Sequence, residues 1–216
     1  MKIKVCGITS IEQLQALQKL DIDFAGMIFY EGSKRYAKEK LAGSELEIRN
    51  IKIKKIGVFV NADFDFISKT IVDFGLNAVQ LHGDETDEFC MDLMDQTTVI
   101  KVLRIADQTD IDALVEPFKN ACHYYLFDTD TTMYGGSGKQ FDWNILQNAK
   151  IDKPFFLSGG IGPADAEKIS DFKHPCLYAV DVNSRFEKSS GIKDLVAIKQ
   201  FSKELKAEVS DTTKAK

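Results

Sequence analysis

Eight times along this chain a short run of β-branched and aromatic residues gives way to an amphipathic stretch, and no other feature limits the fold as strongly. The runs cover residues 2–6, 24–29, 54–60, 78–82, 99–105, 124–128, 154–158 and 177–181. Helical periodicity occupies 11–20, 37–49, 64–74, 86–94, 110–119, 143–148, 164–171 and 193–205. Alternation of this kind builds a parallel sheet from β-α units. Spread over eight units, the 216 residues allow 27 each, a tight but sufficient module for a closed (β/α)8 TIM barrel. An open doubly wound sheet usually carries fewer strands, and its dinucleotide fingerprint is missing from the sequence. The expectation is a single α/β domain over residues 1–206 followed by a polar tail, 207–216, that frays. The joints agree: Ser10 precedes a periodic segment, Gly75 suits a left-handed helix end, and Pro163 sits at a first helical position.

A formal net charge of -5 gives no basic field for nucleic acid or anionic lipid. The chain opens directly on a strand pattern, without an apolar signal core, and no stretch approaches the roughly 18 apolar residues of a membrane span. A cytoplasmic protein with no membrane partner is expected. Cys6, Cys90, Cys122 and Cys176 are scattered, with no C-x-x-C and no zinc-ligand spacing to His82, His123 or His174. Neither a metal site nor a disulfide framework is expected.

In a barrel the C-terminal strand ends and the loops beyond them form the active face. That places Cys6, His82, Asp128, Ser158 and Asp181 on one rim. Alternation puts Tyr124, Leu126 and Asp128 on one side of their strand, and Leu177, Ala179 and Asp181 on one side of theirs, without fixing which side meets the barrel axis. A free cysteine often only fills space. Cys6, however, leads through Gly7-Ile8-Thr9-Ser10 to a helix start, whose positive end is expected to draw a thiol pKa from about 8.5 toward neutrality and make a base for a carbon-bound proton. Asp128 either caps a turn with Thr129 and Asp130 or donates a proton, which needs apolar or anionic surroundings.

Tyr134-Gly135-Gly136-Ser137-Gly138-Lys139 looks like a nucleotide loop, but Met133 and Gln140 occupy the positions where a Walker motif needs Gly and Ser or Thr. What remains is a loop of unobstructed backbone N–H groups. Ser158-Gly159-Gly160-Ile161-Gly162-Pro163 and Asp181-Val182-Asn183-Ser184-Arg185 follow strands seven and eight, where barrels commonly seat a phosphate. Arg35, after the second strand, has the fork geometry to grip a carboxylate, or stands solvated on its loop. His82 either lines the pocket or bonds its neighbours.

Taken in order, these motifs resemble the phosphoribosylanthranilate isomerase family of tryptophan biosynthesis. The resemblance rests on Lys4-Val5-Cys6-Gly7-Ile8-Thr9, Gly57-Val58-Phe59-Val60-Asn61, Gln80-Leu81-His82-Gly83-Asp84-Glu85, Phe127-Asp128, Gly135-Gly136-Ser137-Gly138-Lys139, Leu157-Ser158-Gly159-Gly160-Ile161 and Val180-Asp181-Val182. It implies a (β/α)8 barrel that converts N-(5-phosphoribosyl)anthranilate, a phosphorylated aminosugar, into 1-(2-carboxyphenylamino)-1-deoxyribulose 5-phosphate by an Amadori rearrangement without cofactor or metal. It also implies Cys6 as base, Asp128 as acid, Arg35 on the anthranilate carboxylate and Asp181 as pocket support. Phosphate binding falls on Gly136, Ser137, Gly138, Gly159, Gly160, Asn183 and Ser184. The family usually has proline where Lys34 stands and glycine where Arg185 stands. The alternatives are a non-catalytic phosphometabolite-binding barrel and another phosphosugar isomerase on the same scaffold; both monomer and homodimer stay open.

Overall fold

The computed structural model describes residues 1–106, 108–130 and 140–212. Eight parallel strands close into a barrel: β1 (Lys2–Val5), β2 (Phe24–Ile28), β3 (Lys54–Phe59), β4 (Ala78–Leu81), β5 (Thr98–Ile105), β6 (Tyr124–Thr129), β7 (Phe155–Leu157) and β8 (Leu177–Val182). Each pairs with the next in the chain, and β8 closes on β1 with Lys4 opposite Asp181. The closed barrel expected from the alternation is the fold, and the open sheet is excluded.

Local chemistry starts and stops the helices. Ser10 accepts from the Gln13 amide to open α1 (Ile11–Lys19). The helix α2 (Ala37–Lys40) and the helix α3 (Glu45–Asn50) replace the single helix expected over 37–49, because Gly43 lies between them at φ +78°. Asp63 and Gly75 bracket α4 (Phe64–Phe74), the glycine at φ +61°. Thr86 caps α5 (Asp87–Met94). The helix expected to reach residue 119 ends as α6 (Ile111–Val115), which passes into a 3-10 turn containing Pro117. After α7 (Asn144–Gln147), Pro163 opens a 3-10 turn ahead of α8 (Ala166–Asp171).

The expected helix start at residue 193 is overturned. Residues beyond β8 form a hairpin, β9 (Glu187–Ser189) and β10 (Ile192–Lys193), which turns at Gly191 (φ +82°). The last helix, α9 (Leu195–Thr212), continues into the segment expected to be a polar tail. Lys206 fastens it by donating to the Asp21 carbonyl and carboxylate. Among the described residues no helix is long and apolar enough to cross a membrane.

The barrel interior changes character along its axis. Phe24, Tyr124, Phe156 and Tyr178 stack at the N-terminal end, with Phe24 and Phe156 ring centres 5.7 Å apart and Tyr124 and Tyr178 4.9 Å apart. Ile56, Ala78, Ile100, Val102, Leu126 and Ala179 pack into the same interior cluster. Above them the buried residues turn polar: Lys4, Gln80 and Asp181. Buried charge is costly unless paired. The switch therefore marks the C-terminal end as the place where the fold bears polar side chains for something other than stability.

Candidate active site

Parity settles what periodicity left open. Leu126 and Ala179 point into the barrel, so Asp128 and Asp181, two residues further along, do too. Lys4 Nζ donates to Asp181 Oδ2 at 2.9 Å, which puts Lys4 inside and, two residues on, Cys6. Ser158 closes β7 beside Asp128, its amide donating to the Phe127 carbonyl at 2.9 Å. With His82 and Arg35, these residues gather at one mouth of the barrel, as the strand ends predict.

Cys6 has 5% of its surface exposed. Its amide donates to the Val182 carbonyl, locking the residue against the end of β8. The sulfur fits because Gly26 on β2 has no side chain, since a Cβ there would stand 2.9 Å from Sγ. The expected lowering of the thiol pKa by a helix start is not what the structure gives. The first helix begins five positions further on, at Ile11, and burial pushes the Cys6 thiol above its ordinary value. Lys4 pulls it down, Asp181 pushes it up and Lys193 pulls it down. The thiol is thus surrounded by charges able to admit a thiolate, but those charges are lysines and not a helix dipole. Burial works against the charge on Lys4 too, yet Asp181 and Cys6 outweigh it and hold the ammonium above its usual range.

Asp128 lies beyond Asp181 along the same rim. Its Oδ1 accepts from the Thr129 amide at 2.9 Å, the turn-capping role foreseen as an alternative, and leaves Oδ2 facing His82 Nε2 at 3.4 Å. Gln80 Nε2 lies 3.1 Å from His82 Nδ1, and assigning it as donor there puts the ring proton on Nε2, toward Asp128. His82 therefore both lines the mouth and bonds its neighbours. Its loop is pinned by Glu85, which accepts from the amides of Asn61 and Gly83 and from Lys101 Nζ.

Arg35 reaches the mouth from the loop after β2, where its amide donates to Ser33 Oγ. Its side chain crosses Gly7, at φ +79°, so closely that a Cβ on Gly7 would fall 2.6 Å from Arg35 Cδ. The half-buried guanidinium is paired and not left to solvent alone. Nε and Nη2 donate to Glu187 Oε1 and Oε2 at 2.8 and 2.6 Å. Lys193 donates to the same carboxylate at 2.7 Å and to Asn183 Oδ1 at 2.8 Å. Sequence reasoning missed Lys4, Gly26, Glu187 and Lys193. Signals existed for the first two: Lys4 shares strand parity with Cys6, and a glycine inside a strand often marks a close approach.

The expected anion seat falls on the loops after β7 and β8. Gly159 and Gly160 take φ values of +89° and +62°, and a Cβ on Gly159 would strike Thr129 Oγ1 at 2.4 Å. Gly160 accepts from Gln140, while Asp165 takes hydrogen bonds from Gly162 N and Gln140. Ser184 opens a 3-10 turn directly after Asn183. Arg185, in the position where glycine is usual, lays its side chain across Gly162, with Cδ 3.1 Å from an ideal Cβ there. Gly136, Ser137 and Gly138 lie outside the described residues. Among the described residues no group of three or more His, Cys, Asp or Glu side chains is arranged to hold a metal ion.

The same architecture occurs in known proteins. A family model described as N-(5'phosphoribosyl)anthranilate (PRA) isomerase matches residues 3–204. An N-(5'-phosphoribosyl)anthranilate isomerase of Parabacteroides distasonis is 38% identical over 217 residues, spanning 100% of this chain and 98% of the relative. The crystal structure of phosphoribosyl anthranilate isomerase from Thermotoga maritima superposes with a TM-score of 0.84 at 34% identity, covering 96% of this chain and 99% of that one. A second crystal structure of such an isomerase, in complex with reduced 1-(o-carboxyphenylamino)-1-deoxyribulose 5-phosphate, matches with a TM-score of 0.80 at 32% identity, over 96% and 99% of the two chains. With the match running nearly end to end and the barrel shared, the chain belongs to the N-(5'-phosphoribosyl)anthranilate isomerase family.

Proposed function

We propose that the protein isomerises N-(5-phosphoribosyl)anthranilate to 1-(2-carboxyphenylamino)-1-deoxyribulose 5-phosphate in tryptophan biosynthesis, with Asp128 as acid and Cys6 as base. The observation that carries the assignment is that both side chains project into one mouth of the barrel on either side of Asp181, whose carboxyl interacts electrostatically with both. Asp128, as the carboxylic acid, protonates the ring oxygen while the anilino nitrogen lone pair opens the sugar to an iminium. Cys6, as thiolate, removes the proton from the adjacent carbon. The electrons of that C–H bond move to neutralise the iminium and leave an enolamine. Tautomerisation returns a proton to the first sugar carbon while the enol hydroxyl loses its own, which restores the one Asp128 gave up, and gives the ketone, so the substrate keeps its hydrogens and electrons in new positions.

Arg35 supports the substrate carboxylate. Gly159, Gly160, Asn183 and Ser184 support the phosphate together with residues 136–138, Asp181 holds Lys4 beneath the base, and His82 steadies Asp128. The protein acts in the cytoplasm, as a monomer or homodimer, on this small phosphorylated aminosugar. The test is loss of phosphoribosylanthranilate fluorescence with purified protein in excess EDTA. Turnover that survives the chelator is expected, and a folded protein without turnover would overturn the assignment and leave the binding-protein and other-isomerase alternatives.

A further inference from the structure

The geometry points to Glu187 as a positioning residue for the substrate carboxylate, acting through Arg35. The inference rests on the proposed reaction. Arg35 has five N–H donors in a rigid fork. The side-on pair with Glu187 occupies Nε and one hydrogen of Nη2. The end-on edge, formed by Nη1 and the second Nη2 hydrogen, keeps the spacing that a carboxylate takes in bidentate fashion.

Glu187 is itself immobile. Its side chain is 4% exposed, and Lys193, whose side chain is fully buried, donates to the carboxylate from its other side. The hairpin that carries both residues is tied down at two places. The Asp194 amide donates to the Phe186 carbonyl, while Gly191 O accepts from Thr9 Oγ1 and Gln13 Nε2 in the segment following β1. A long, rotamer-rich arginine is thereby ordered when the chain folds, and its ordering is not charged against binding. Before Cys6 ionises, Arg35 and Lys193 against one Glu187 leave the cluster one positive charge in excess, while Lys4 and Asp181 cancel beneath it. One substrate carboxylate, delivered to the end-on edge, offsets that excess. The phosphate has its own seat at Gly159 and Gly160.

A double-mutant cycle with Arg35→Ala, Glu187→Gln and the pair separates this from a purely structural role. It is read both as KM and kcat for phosphoribosylanthranilate and as Kd for reduced 1-(o-carboxyphenylamino)-1-deoxyribulose 5-phosphate. Arg35→Ala is expected to raise KM and Kd about 10- to 100-fold, the usual loss for hydrogen bonds to a charged group. Glu187→Gln should raise them about 5- to 10-fold with kcat within about twofold, and add less than about twofold once Arg35 is gone. Glu187→Asp, which keeps the charge, should recover part of the loss and serves if the glutamine variant does not fold. Losses that multiply in the double variant, an unaltered KM in Glu187→Gln, or a lower kcat at unaltered KM would each overturn the inference. Wild-type protein that binds the reduced product without turnover would sink the assigned reaction alone, because the cycle in Kd still reads the Arg35–Glu187 coupling.

Discussion

Gly26→Ala tests the packing of the base with the smallest possible change. Gly26 is not in the left-handed region, so its backbone tolerates any residue; the constraint is room. A Cβ would lie 2.9 Å from Cys6 Sγ, 3.0 Å from Cys6 Cα and 3.2 Å from Cys6 Cβ. Ordinary van der Waals separation is about 3.5–4.0 Å, so the sulfur or its strand must retreat by roughly 0.6–1 Å. Rotating the cysteine side chain relieves only the crowding at sulfur; the backbone of residue 6 is crowded as well, and β1 is held on its other flank by the Cys6 amide bonded to Val182. Overpacking of this kind costs about 1–3 kcal/mol. For a chain of this size that corresponds to a melting temperature lower by about 2–12 °C. A displacement near 1 Å of a group that must meet a carbon-bound proton costs up to about 10²-fold in rate. Stopped-assay kinetics should therefore show kcat reduced by roughly one to two orders of magnitude, with KM changed far less, because neither Arg35 nor the anion loops move. A variant with wild-type kcat and an unaltered melt would refute the placement of the sulfur against Gly26, and with it the orientation of the base.

Cys6→Ala and Asp128→Asn should each lower kcat by about 10²- to 10⁴-fold with the melt preserved, and a wild-type rate in either would remove that residue from the chemistry. Because burial raises the Cys6 thiol and only the thiolate is a base, kcat/KM should climb with pH on a limb lying above that of an exposed thiol. Lys4 lowers that thiol, so Lys4→Met should move the limb further alkaline in a pH–rate profile; a shift toward acid would contradict the assigned interaction. The same substitution strands Asp181 without its buried partner, at about 3–5 kcal/mol in denaturant melts, and Asp181→Leu in addition should recover most of it. Burial alone would raise the Glu187 carboxyl, but Arg35 and Lys193 hold it below the usual range. Its contribution to stability is then complete above the unfolded value of about 4.3 and is lost as pH falls through the folded one, so the stability gap between wild type and Glu187→Gln should close in acid melts.

The barrel is legible in the sequence because two independent periods alternate eight times, and parallel strands buried on both faces read as apolar runs wherever they occur. Cys6 and Asp128 are legible for a related reason: a reactive side chain that closes an apolar strand has only one rim to occupy. Gly159 and Gly160, proposed for the phosphate, stand out because consecutive positions at positive φ admit little else. Orientation is not legible, since period two assigns residues to faces without saying which face is inside; it takes the packing of Leu126 and Ala179 in the interior, and the pairing of Lys4 with Asp181 177 positions away, to fix it.

What escapes the sequence most completely is the group of charges that prepares the site, and the reason is physical. The sequence records which residues carry charge, whereas a charge acquires its meaning from the partner that folding brings to it. Arg35 and Glu187 are 152 positions apart, and meet only because the segment after β8 folds back as a hairpin over the loop after β2. That hairpin mimics the start of a helix, because Ile192, Lys193, Leu195 and Ile198 keep a helical spacing, while Ser189-Ser190-Gly191 is the turn signal that outweighs it. Once Lys193 sits on a strand and not on a helix face, its ammonium is carried inward to Glu187 and Asn183 instead of outward to water. A single element boundary therefore conceals a buried cation beside the sulfur of the proposed base, and boundaries are where pattern reasoning has the least physical leverage.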